Sequence, residues 1–170
     1  SAREGGLRVP FLARWPSHLP AGEVRDGLAM AMDLWPTIER WTRPEDAAAP
    51  TEHLDGKDIA ALLEGDAPDE ARGPVAFFHY GRLESVREGP WLLTFERRRD
   101  WDLPFAFRQF PEEASDRFGP GDERLPPLLS NLERDPSTVI DYYSEFPEIR
   151  QRMETIGEQF REDLGDRGRD

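Results

Sequence analysis

Val75-Ala76-Phe77-Phe78-His79-Tyr80-Gly81-Arg82-Leu83-Glu84-Ser85-Val86-Arg87-Glu88-Gly89-Pro90-Trp91-Leu92-Leu93-Thr94-Phe95-Glu96 is the stretch that decides the fold. It holds three short apolar or alternating runs, 75–80, 83–88 and 91–96, with Gly81-Arg82 and Gly89-Pro90 between them. Connections this short leave room only for hairpins, so the runs predict a three-stranded antiparallel meander. A fourth strand is predicted at Leu128-Leu129-Ser130-Asn131-Leu132, closed by an Asp135-Pro136 turn. Residues 97–127, rich in charge, proline and aromatics, read as a long excursion between them, and loops of that length tend to be functional or mobile.

Downstream, Phe146, Ile149, Met153, Ile156, Phe160 and Leu164 recur at steps of three and four, the spacing of one helical face. Pro147 suits the first turn of such a helix and Gly165 the position just past its end. An apolar stripe needs a surface to cover, and the meander is the nearest one. The second half therefore predicts a small α+β domain, a four-stranded antiparallel sheet packed against a C-terminal helix.

Upstream the signals are sparser. Asp33-Leu34-Trp35-Pro36-Thr37-Ile38-Glu39-Arg40-Trp41 predicts a short helix capped by Asp33, with Leu34, Ile38 and Trp41 on one face. Residues 42–74 read as a connector with one helical turn through Ile59, Leu62 and Leu63, ending at Gly65. Val9, Phe11, Ala13 and Trp15 alternate over 8–16 and predict a buried strand, with Pro10 at an unpaired position. Gly5-Gly6 before it predicts a tight turn, yet only three residues stand ahead of Glu4. The chain is thus expected to begin inside a domain, with 1–72 and 73–170 as its two parts.

The 170 residues are 37% hydrophobic, 34% charged and 11% aromatic, enough to bury a core. A net charge of −13 argues against nucleic acid or an anionic membrane surface as partner. The absence of cysteine excludes disulfides, thiolate metal sites and a cysteine nucleophile, and leaves the redox compartment unread. No apolar run approaches the roughly 20 residues that span a bilayer.

Catalytic chemistry is hard to find. The three histidines are His18 in a proline-flanked loop, His53 in the acidic connector, and His79 at a predicted strand end. His18 and His53 read as solvated. His79 is the one placed where a side chain can reach into a cleft. Ser17 and His18 are neighbours, but no elbow-like turn surrounds the serine. No histidine pair has metal-ligand spacing. The acid pairs Glu112-Glu113 and Asp122-Glu123 read as solvent-facing, and Arg97-Arg98-Arg99 with Trp101 as a solvated strand exit rather than an anion grip.

The order of the segments says more than any one of them. Glu4-Gly5-Gly6-Leu7-Arg8-Val9-Pro10 with Trp15-Pro16 resembles the "EGG-x-R-x-P … WP" segment of type I sulfatases. Asp33-Leu34-Trp35-Pro36-Thr37 is similar to their "D-L-x-P-T" helix start, and Asp55-Gly56 to their "D-G-x-x-L" connector. His79-Tyr80, then Leu83, Val86-Arg87, Gly89 and Trp91, resembles their "F-H-Y … L-x-A-V-R-x-G-x-W-K" hairpins. Leu129 to Pro136 resembles "L-Y-D-L-x-x-D-P-x-E", and Phe146-Pro147-Glu148 the "H-P-E" opening of the last helix. Leu92, Arg3 and Thr138 depart from the usual residues at their positions.

The resemblance implies the C-terminal portion of an alkaline-phosphatase-like enzyme. A strand-helix remnant of its large α/β domain would precede the small domain. In such enzymes a cysteine or serine within "C/S-x-P-S/A-R" becomes formylglycine, whose hydrate attacks a sulfate ester held by calcium, with lysine and histidine stabilising the developing charge. This chain has no such motif, and the family's active-site lysine, just upstream of the "EGG", would fall before Ser1. The resemblance therefore implies no catalytic residue, cofactor or metal ligand here, calcium and formylglycine only in the full-length parent, and His79 as a contributor to the substrate-pocket rim. The implied partner is the N-terminal catalytic part, in a parent of periplasmic, secreted or lysosomal type. The isolated chain is expected to form a homodimer or element-swapped oligomer. Two other readings stand beside this one: a self-contained module binding sulfated glycans, which the acidity disfavours, and a fragment of a related phosphodiesterase.

Overall fold

The computed structural model describes residues 4–44, 54–68, 72–79, 81–95, 97–98 and 124–165. They divide into two compact units, one of residues 10–73 and one of residues 1–9 with 74–170.

The expected strand at 8–16 is not formed. Glu4–Leu7 is a single helical turn (α1) that absorbs the Gly5-Gly6 pair, and residues 8–15 run on without ladder partners among the described residues. Val9 and Phe11, expected to be buried, are exposed. A strand exists only by pairing, and Pro10 and Pro16 remove two of the donors that pairing would use.

In the 10–73 unit, a 3-10 turn at Ala31–Asp33 leads into α2, Leu34–Thr42, and Ala60–Glu64 forms α3. As expected, α3 ends at Gly65, whose left-handed φ of 90° suits a residue without a β-carbon. The inward face of α2 differs from the apolar pattern. Asp33 and Thr37 are fully buried, Leu34 and Trp41 half-buried, and Ile38 exposed. Hydrogen bonding, rather than apolar burial, sets how this helix is rotated.

The second unit holds the predicted sheet. Its strands are β1 (Val75–His79), β2 (Arg82–Glu88), β3 (Trp91–Thr94) and β6 (Leu128–Asn131), in the order β1-β2-β3-β6 and antiparallel throughout. Within the excursion, Arg97–Arg98 (β4) and Arg124–Leu125 (β5) pair as a short separate ribbon. Gly81 and Gly89, at the hairpin turns, have φ of 80° and 54°.

One irregularity shapes the core. Phe77 pairs with Ser85 and Phe78 with Leu83, so Glu84 is an extra residue in β2. Such a bulge resets the alternation of side chains. It lets Leu83 and Val86, three residues apart, lie on one face with Ala76, Phe78, Leu93 and Leu129.

The C-terminal helix α4, Pro147–Leu164, lays Met153 and Ile156 on that face, with Phe146, Ile149 and Phe160 packed around them. Each fully buried Leu or Met here contributes about 1.5–3 kcal/mol. Gly157 lets the helix come close, because a β-carbon there would lie 2.3 Å from Cζ of Phe95. Trp91, Tyr142 and Phe146 close the end of the core with edge-on and tilted ring contacts. Val75, Ser85, Leu92 and Ser130, on the opposite face, are buried as well. Among the described residues no helix is long and apolar enough to cross a membrane.

Candidate functional site

The residues that carry the motifs are mostly occupied in building the fold. Asp33, expected to cap α2, instead anchors three segments. Its Oδ2 accepts from the amide of Met30 at 2.7 Å and its Oδ1 from the amide of Lys57 at 2.8 Å. Arg72 donates to both oxygens, Nε to Oδ2 at 2.7 Å and Nη2 to Oδ1 at 2.9 Å. Thr37 extends the network. Its hydroxyl donates to the Asp33 carbonyl at 2.6 Å and accepts from the amide of Ile59 at 3.0 Å. Gly56 lies against the same turn, where a β-carbon would stand 2.2 Å from the Met32 carbonyl oxygen. A buried carboxylate is tolerated only when its charge and lone pairs are met, and here they are.

The Asp135-Pro136 turn is built on the same principle. Asp135 is buried, and its Oδ2 accepts from the amides of Val139 at 2.5 Å and Ile140 at 2.7 Å. Thr138 has a φ of 55°, the left-handed region that a threonine enters only when its surroundings impose it. Asn131 Oδ1 accepts from the amides of Glu133 and Arg134, both at 3.2 Å, fixing the exit of β6.

His79, the predicted rim residue, is the last residue of β1. It pairs in register with Arg82 across the turn and lies half-buried on the sheet face opposite α4, with Val75 and Phe77. His18 stacks on Trp15, with ring centroids 3.9 Å apart, and its Nδ1 lies 3.5 Å from the Pro16 carbonyl oxygen. His18 belongs to the 10–73 unit and His79 to the other. His53, Tyr80, Arg99, Trp101, Glu112, Glu113, Asp122 and Glu123 lie outside the described residues, as do the side chains of Arg97 and Arg98.

Calcium takes about six to eight oxygen ligands. Among the described residues no three His, Cys, Asp or Glu side chains stand together to hold a metal ion. Of the buried aspartates among the described residues, Asp33 spends both oxygens on internal donors and Asp135 its Oδ2. These residues do not fit a calcium site, and no residue here fits the formylglycine motif.

One titration is displaced by the structure. The hydroxyl of Tyr143 donates to Glu154 Oε1 at 2.8 Å, and that bond raises the phenol's pKa above its ordinary value, with burial and the Glu154 charge adding to the effect. The Arg150 guanidinium, 5.0 Å above the Tyr143 ring, opposes it.

Sequence reasoning missed Arg72, the charged partner of Asp33. An arginine in a connector carries no local signal that an aspartate 39 residues earlier awaits it.

A sheet of this order under a C-terminal helix, with the motif residues at its turns, is the arrangement the resemblance led us to expect. Relatives agree. The chain is 34% identical to Arylsulfatase D of Homo sapiens over 150 residues, covering 79% of this chain and 23% of that protein. It is 41% identical to Steryl-sulfatase of Mus musculus over 88 residues, 49% of this chain and 13% of that one. With N-acetylgalactosamine-6-sulfatase of Sus scrofa it shares 28% identity over 149 residues, 78% of this chain and 26% of the relative. No family model matches the chain. The chain belongs to the sulfatase family and corresponds to its C-terminal portion. It spans less than a third of the length of these curated relatives.

Proposed function

We propose that this chain is a fragment of a sulfuric ester hydrolase and serves in it as scaffold and pocket rim, without catalysis of its own. The observation that carries this reading is the use made of the family-like residues. Asp33, Thr37, Gly56 and Asp135 are committed to buried hydrogen bonds or close backbone packing. Residues so engaged hold a structure in place, and Asp33 has both carboxylate oxygens filled by internal donors. The nucleophile, calcium and the charge-stabilising lysine then belong to the remainder of the parent, as does its sulfate ester substrate. His79, at a hairpin end, contributes to the rim of the parent's pocket.

The test is turnover of an aryl sulfate, with calcium present, by this chain and by its full-length parent. The expected result is activity in the parent and none above a buffer blank in the isolated chain. Turnover by the isolated chain would overturn the scaffold reading. In the parent, His79→Ala is expected to change KM more than kcat; unchanged kinetics would remove His79 from the rim.

A further inference from the structure

We draw no further inference here: the strongest candidate, the buried hydroxyls of Ser85 and Ser130 on the sheet face opposite α4, meets no partner among the described residues, and nothing in the structure shows what ligand or segment would answer them.

Discussion

Arg72 meets Asp33 with two parallel hydrogen bonds, at 2.7 and 2.9 Å, in a site where both side chains are almost wholly removed from water. The bidentate geometry matters because a single contact would leave one carboxylate oxygen short of a charged donor. Arg72→Ala is expected to destabilise the 10–73 unit by about 3–5 kcal/mol, the usual cost of stranding a buried charge. Removing both partners together, Asp33→Leu with Arg72→Met, should cost less than the sum of the single changes. Urea unfolding followed by tryptophan fluorescence measures both, and additive losses would show that the two side chains do not act as a pair.

Gly56 and Gly157 make a contrasting pair. A β-carbon at Gly56 would stand 2.2 Å from a backbone carbonyl, whereas at Gly157 the obstacle is the ring of Phe95. Side chains yield more readily than backbone. Gly157→Ala should cost about 1–3 kcal/mol, as overpacking does, while leaving the fold intact. Gly56→Ala should prevent the 10–73 unit from folding, visible as loss of near-ultraviolet circular dichroism from Trp15 and Trp41.

Asp135 tests whether the loop after β6 depends on one carboxylate. Asp135→Ala strands two amides and is expected to cost about 1–3 kcal/mol. Asp135→Asn keeps an acceptor oxygen and should recover much of that loss. Thermal unfolding of the three proteins at one pH decides it; equal melting temperatures for the Ala and Asn variants would show that the acceptor is not what matters.

Tyr143 carries a pH signature. Its folded pKa is raised, so the folded chain holds the phenolic proton more tightly than the unfolded chain does. The stabilisation is therefore fully present below the ordinary tyrosine value of about 10 and is lost as pH rises through the folded value. Tyr143→Phe should cost about 0.5–1.5 kcal/mol near neutral pH, the worth of one hydrogen bond. Above the folded value the variant and the parent chain should be equally stable. A difference that persists unchanged into strongly alkaline solution would contradict the hydrogen bond to Glu154 as its source.

The small domain was legible because its signals are local. Strand length, two-residue turns, the stripe from Phe146 to Phe160 and the flanking Pro147 and Gly165 each act within a few residues of one another. The strand expected at 8–16 failed for the opposite reason. Alternation at Val9, Phe11, Ala13 and Trp15 says which side would be buried if a sheet neighbour were present, and among the described residues none pairs with them. The Leu34-Ile38-Trp41 face of α2 was a near miss, rotated by the hold on Asp33 and Thr37.

By itself, then, the sequence determined the meander, its closing helix, the family and the want of cysteine chemistry. Tertiary structure alone decided that Glu84 bulges so that Leu83 and Val86 share a face, that Asp33 answers Arg72 rather than its own helix, and that α2 buries Thr37 while Trp35 and Ile38 stay exposed. The division has one physical cause. Backbone periodicity is written in neighbours along the chain, whereas the pairing of buried charges and the register of a bulge depend on residues that only folding brings together.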